Sequence, residues 1–153
     1  ETELEGSVDT VDQSTDSLTL LGLSGLTVKI ESRTALSGKG NLRKLSDLRY
    51  GDHLKIHGRL RGSSMLLAKE IERSDPSPHI QLDGYITNAA DPWLVMLGST
   101  IDTSSILESG FRGRDEAIGR NAFFAGLVPG QKISLRGNVS GTNILWTTAT
   151  RKH

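Results

Sequence analysis

Four polar side chains on one predicted strand are the first candidates for a functional site. Between His53 and Arg59 the sequence alternates polar and apolar residues, which is typical of a half-buried strand, so His53, Lys55, His57 and Arg59 share the outer face. Two histidines on one face suggest a metal site. However, residues four apart on a strand are separated by roughly 13 Å, and a metal bonded at about 2 Å to each ligand cannot bridge that distance. We therefore predict a solvated basic face, and neither a metal nor another cofactor.

Exposed aromatic residues add two further candidates, because an aromatic ring can stack on a sugar or a base. Tyr50 is the single aromatic residue of the first half and precedes the predicted tight turn Gly51-Asp52. Trp93 follows Pro92 at a predicted turn exit, where it either stacks on a ligand or covers its own barrel. Tyr50 and Trp93, together with the four strand residues, form the predicted ligand-binding set.

The composition excludes several classes of function. The 153 residues carry 18 basic and 18 acidic side chains, so no global field attracts polyanions. There is no cysteine, which removes disulfides, thiolate metal sites and cysteine nucleophiles. No catalytic Ser/His/Asp or paired-carboxylate motif is recognisable by spacing, and we predict that the protein is not an enzyme.

An internal repeat sets the domain organisation. Leu82, Gly84 and Ile86 repeat Leu4, Gly6 and Val8, while Gly130 and Gly137 repeat Gly51 and Gly58. The proline-containing stretch 75–78 lies between the two copies. We therefore predict a first unit at 1–74, a short linker at 75–78 and a second unit at 79–153.

The order of elements predicts the fold class. Each unit contains five predicted strands, arranged as a hairpin, a third strand, a long connection and a second hairpin. We expect a surface loop from Ser32 to Asp47 in the first unit, with a helical turn at Leu42 to Leu48, and a short helix between Arg114 and Phe124 in the second. The pattern predicts an all-β protein of two tandem OB-like Greek-key barrels, each with a short helix or helical turn between its third and fourth strands.

The first unit also resembles a known family. Its opening Glu5-Gly6-Ser7-Val8, the turn within Leu45–Asp52, the strand Leu54–Gly58 and the closing Leu67–Glu72 resemble a bacterial domain family of unknown function. The resemblance implies a small OB-like β-barrel, often present in tandem, in an exported or envelope-associated protein. It implies no activity and no functional residue.

The leading hypothesis is therefore a non-enzymatic binding or interaction module of the bacterial cell envelope, located in the periplasm or outside the cell, with a protein or glycan partner. The groove between the two units is its predicted binding surface. An OB-type single-stranded nucleic-acid binder is the alternative, which the scarcity of aromatic residues in the first unit disfavours. No apolar run approaches the roughly 20 residues that cross a bilayer, and residues 1–5 lack a signal-peptide pattern.

Overall fold

The computed structural model describes residues 1–152, and most of its regular structure is β-strand. The strands of the first half are β1 (Thr2–Asp12), β2 (Ser17–Leu20), β3 (Leu23–Gly38), β4 (His53–Arg61) and β5 (Met65–Ser74). Those of the second half are β6 (His79–Ala90), β7 (Trp93–Met96), β8 (Ser99–Asp102), β9 (Phe111–Arg112), β10 (Lys132–Ser140) and β11 (Asn143–Arg151). Two 3-10 helices at Leu45–Asp47 and Glu108–Gly110 and the helix α1 (Gly119–Ala125) complete the described elements. The prediction of a mainly β protein is confirmed.

The first half closes into a five-stranded barrel. β1 pairs with β4 and then with β2, β2 pairs with β3, β3 pairs in parallel with β5, and β5 returns to β4. Because side chains alternate across each strand, one residue in two points into the barrel. The inward side chains include Val8, Leu20, Val28, Ile56 and Ile71, all of them buried.

The second half follows the same strand order but stays open. Its strands run in the order β8-β7-β6-β10-β11, and β9 pairs in parallel with β11 near the C-terminal end of that strand. Among residues 1–152 no backbone hydrogen bond joins β8 to β11. The structure therefore shows one closed barrel with further strands attached to it.

The two halves share one sheet through β1 and β6. Leu4 pairs with Leu82, and the residues before and after Leu4 pair with those after and before Leu82. One row of apolar side chains consequently crosses both halves without interruption. In sheet order this row is Leu36, Ile71, Ile56, Leu4, Leu82, Leu135, Ala149 and Phe111. Strands of the two halves meet at this seam and do not interleave.

The prediction of a loop from Ser32 onward is wrong at its start. β3 leaves its partner after Ile30 and then pairs with β5 again, from Ala35 to Gly38. Sequence periodicity is lost because residues 31–34 bulge outward, while Leu36 still packs against the core. The irregular connection begins only after Gly38.

The helix predicted between Arg114 and Phe124 is shorter than expected. α1 spans Gly119–Ala125, and the residues before it fold back as a turn. The Gly113 amide donates to the Glu116 carbonyl, and the Ile118 amide donates to the Phe111 carbonyl. These bonds hold the segment beside β9, so the acidic residues at its start do not enter a helix.

Candidate functional site

The predicted strand residues do not form one site. His53, expected on the solvated face, is 1% exposed, and its Nε2 lies 2.7 Å from Glu5 Oε1. The linker covers this end of the strand: Ser7, which pairs with His53, donates its hydroxyl to the Ser77 carbonyl. The prediction of a solvated His53 is therefore wrong, because the linker packs over the outer face of the sheet at this end of β4.

The other three residues of β4 do lie on the outer face. Lys55 and His57 line a small recess of about 80 Å³ between β4, β1 and β6, in which His57 Nδ1 is 3.5 Å from Glu3 Oε1. Arg59 lines a separate, wider cavity of about 630 Å³ beside the bulge of β3, together with Glu31 and Lys69. Both surfaces mix acidic and basic side chains, so neither selects one sign of charge.

Both predicted aromatic candidates are accessible but isolated. Tyr50 is 70% exposed in the connection before β4, and Trp93 is 46% exposed at the start of β7. Their exposure fits a stacking role, although neither residue lines one of the cavities described here.

A pocket of a single charge sign lies on the outer face of β9, β10 and β11. We call it the cationic pocket, and its volume is about 400 Å³. Its charged and titratable members are His79, Arg112, Arg114, Arg136 and Lys152. Its neutral polar side chains are Ser134, Asn138, Thr147, Thr148 and Thr150.

Strand pairing builds the floor of the cationic pocket. Ser134 is paired with Thr150, and Thr150 is paired with Arg112, so three polar side chains stand in a row across three strands. The next row along the sheet contains Arg136 and Thr148. Because directly paired residues project to the same face, hydroxyl groups form the floor and cations stand at its sides.

Most of the positive charge in this pocket is not neutralised. Within residues 1–152, no carboxylate lies within 4.0 Å of a charged nitrogen of Arg114 or Arg136. Arg112 donates to the backbone carbonyl of Asp115, which leaves its charge uncompensated. Lys152 alone has an acidic neighbour, with Nζ 3.4 Å from Asp83 Oδ1. Arginine and lysine arranged in this way can hold an anionic group by charge-assisted hydrogen bonds.

Asp83 is the acidic boundary of the pocket and is itself buried. Burial alone would raise the pKa of the Asp83 carboxyl. Hydrogen bonds from Ser134 and Gln81 and the nearby Lys152 ammonium outweigh burial, so the pKa of Asp83 lies below its ordinary value. The carboxylate is therefore ionised at neutral pH and anchors Lys152 at the pocket edge.

The lowered pKa of Asp83 makes a prediction about stability in acid. A carboxyl whose pKa is lower when folded contributes stability above its unfolded pKa, and loses that contribution as pH falls through the folded pKa. The stability advantage of the natural protein over Asp83→Asn should thus be constant near pH 7 and shrink below about pH 4. Urea unfolding of both proteins at pH 7, 5 and 3 measures it. A difference that does not change with pH would show that Asp83 is not preferentially ionised in the folded state.

Sequence reasoning missed the cationic pocket for an identifiable reason. The alternation Ser134, Arg136, Asn138 was a visible signal of an outward strand face, as was Thr148, Thr150, Lys152. Arg112 and Arg114 come from an irregular connection, and their approach to β11 depends on a two-residue parallel pairing. No local pattern predicts that pairing.

The described residues show no other recognisable centre. Among residues 1–152, no group of three or more His, Cys, Asp or Glu side chains is placed to hold a metal ion. No helix in the described part of the chain has the length and apolar character needed to span a membrane.

Comparison with known proteins bears on the first half of the chain. Neither a curated protein nor a solved structure matches the chain significantly. Residues 5–72, which include nearly all of the closed barrel, match the family model described as a domain of unknown function, DUF5666.

Proposed function

We propose that this protein is a non-enzymatic binding module of the bacterial cell envelope, built as a tandem pair of OB-like barrels, and that it binds an acidic glycan in the cationic pocket. The observation that supports an acidic glycan as the ligand is the set of cationic side chains around a hydroxyl-lined floor, with no carboxylate lining the pocket. The envelope location rests on the resemblance described above.

Repeated local geometry supports the tandem pair. A bulge at Lys69 of β5, beside Gly58, recurs at Thr147 of β11, beside Gly137. In the first half the Thr34 hydroxyl donates to the Ala68 carbonyl at 2.6 Å, and in the second half the Ser105 hydroxyl donates to the Trp146 carbonyl at 2.8 Å. The reciprocal pairing about Leu4 and Leu82 relates the halves as a two-fold axis relates the subunits of a dimer.

The pocket chemistry favours an acidic sugar. Arginine binds a planar carboxylate with two parallel hydrogen bonds, and threonine and asparagine side chains match the hydroxyl groups of a sugar ring. A shallow recess adjoins the pocket through the shared Lys152, and there the Tyr85 ring is 41% exposed. Tyr85 could therefore stack on a second sugar unit.

Single-stranded nucleic acid is the second candidate, because the same cations would contact phosphates. Such binders place several aromatic rings along the strand of nucleic acid. Among the exposed aromatic residues of the described part of the chain, Tyr85 alone lies beside this pocket, in the recess that shares Lys152 with it. The glycan is accordingly the first choice.

The deciding experiment compares two double variants by calorimetric titration. Arg114→Gln with Arg136→Gln removes two pocket charges, and Arg43→Gln with Arg61→Gln removes two exposed charges from the first half. With trigalacturonate as the probe, we expect the first pair to weaken binding by about tenfold for each arginine removed, and the second to leave it unchanged.

Two results would contradict the proposal. One is equal binding by both double variants, and the other is the absence of trigalacturonate binding at low salt. Tighter binding of a ten-nucleotide oligothymidylate, with a steep decrease as salt rises, would favour the nucleic-acid alternative.

A further inference from the structure

We infer that the gap between β8 and β11 accepts an extended segment of a partner polypeptide, which joins the sheet as an additional strand. This interaction surface is separate from the cationic pocket and does not depend on its ligand. Addition of a strand to exposed edges is a known mode of peptide recognition in which main-chain hydrogen bonds supply the affinity.

The gap is wide enough to separate two strands that would otherwise be neighbours. In the first half the corresponding strands are hydrogen-bonded from Thr27–Met65 to Ile30–Ala68. In the second half the Cα atoms of β8 and β11 are more than 8 Å apart over most of their length. Paired strands lie about 4.8 Å apart, so β8 and β11 are too far apart to bond each other over most of their length, and a pocket lined by residues of both strands lies between them.

The edge of β8 presents unpaired backbone groups to this gap. The Thr103 amide donates to the Pro92 carbonyl, which identifies Thr103 and, by alternation, Ile101 as the residues bonded to β7. The backbone groups of the intervening residues, Thr100 and Asp102, consequently point away from β7 and toward β11.

Part of the edge of β11 also presents unpaired backbone groups to the gap. Ser140 and Asn143 flank a two-residue hairpin turn, so Asn143 and then Leu145 bond to β10, while Ile144 and Trp146 point outward. The Trp146 carbonyl accepts its hydrogen bond from Ser105 on this outward side. That contact supports the assigned alternation, and it leaves the amide and carbonyl of Ile144 and the amide of Trp146 as the free backbone groups of this edge.

The strand directions also suit an insertion. β8 and β11 both run parallel to β6, because each is separated from it by one antiparallel neighbour. A single inserted strand can therefore run antiparallel to both edges, which is the more stable pairing.

The side chains around the gap define the partner segment. The gap has a volume of about 410 Å³, and the apolar Leu23, Ile101 and Trp146 line it from the core side. Leu145, which also lines it, is 53% exposed, and Asp102 is its one charged side chain. An acceptable segment thus alternates β-branched apolar residues with polar ones, and carries a basic residue rather than an acidic one beside Asp102.

The test uses a short synthetic strand as the probe. An acetylated and amidated peptide of alternating valine and threonine with one lysine is titrated into isotopically labelled protein. We expect the amide signals of Thr100, Asp102 and Ile144 to shift and to exchange more slowly with solvent. The same peptide N-methylated on alternate residues should bind at least about tenfold more weakly, since it loses edge hydrogen bonds.

A matched pair of variants tests the protein side. Thr100→Pro removes an outward amide that bonds nothing in β7 and should abolish the shifts, while Thr100→Val keeps that amide and should bind normally. The inference is overturned if the peptide causes no shift at these amides at millimolar concentration, or if the N-methylated peptide binds equally well. The peptide comparison decides the question even if Thr100→Pro does not fold.

Discussion

Gly58→Ala is expected to destabilise the protein by about 3 kcal/mol, and to lower its melting temperature by roughly 10 °C. A Cβ at this position would overlap the Leu67 carbonyl oxygen and lie 3.1 Å from the Ala68 Cα, so it meets backbone atoms and not a flexible side chain. The contact exists because β5 bulges at Lys69, the extra residue between the partners of His57 and Gly58, which brings the β5 backbone onto Gly58 and turns the corner of the barrel. Relief of the overlap would require the strands to separate at the point where the barrel closes.

Gly6→Ala is the matched control for this prediction. Gly6 is also a buried strand glycine, but a Cβ there would meet its nearest atom, Leu20 Cδ1, at an ordinary 3.5 Å. Its effect should stay below about 1 kcal/mol. Denaturant unfolding of the natural protein and both variants measures the difference. If Gly58→Ala is as stable as Gly6→Ala, the barrel does not depend on the close approach of β4 to β5.

Much of the fold was accessible from sequence because strands have a period of two. Alternation over Leu54–Leu60 predicted β4, and Gly58 on its apolar face predicted the bend that the structure shows. The turn at Gly51-Asp52 precedes β4 as expected, with Gly51 at φ of 86°. These features depend on residues that are close in the sequence, and hydrophobic periodicity and turn-forming residues predict such local structure.

The failures share a different cause, which is contact between distant parts of the chain. Alternation placed His53 on the outer face correctly, yet it could not show that the linker covers that face at Ser77. The continuation of β3 to Gly38 depends on β5, which begins 27 residues after β3 ends there. Whether β8 reaches β11 is likewise decided by packing between elements, so the open edge could not be predicted from either strand alone.

The candidate site shows the same division. Its floor lies on strands whose alternation is legible in the sequence, at Ser134 and Arg136 on β10 and at Thr148 and Thr150 on β11. The sign of its charge depends on Arg112 and Arg114, which the short pairing of β9 with β11 brings to the same face. A basic residue in a connection therefore predicts a charged site only when the strand that it lies beside is known.

Arg73→Ala is expected to destabilise the protein by about 2 to 3 kcal/mol, because one partly buried guanidinium bonds to both ends of the connection between β3 and β4. Its nitrogens donate to the backbone carbonyls of Lys39, Gly40 and Asp47 and to the Asp52 carboxylate, at 2.7 to 3.2 Å. The Arg73 side chain is only 14% exposed, so its loss leaves partly buried acceptors without donors.

Two further substitutions separate this role from a simple effect of charge. Arg73→Lys keeps the charge but replaces the planar fork with a single ammonium, which cannot reach four acceptors at once, so it should recover only part of the lost stability. Arg59→Ala removes an exposed arginine on the neighbouring strand and should change stability by no more than about 0.5 kcal/mol.

Hydrogen exchange measures the local effect of the loss of Arg73. In Arg73→Ala, protection should fall first at the amides of Leu48 and Gly51, of which the first is bonded within this connection and the second to β1. Uniform loss of protection across the barrel would instead show that Arg73 supports the sheet as a whole and not the connection.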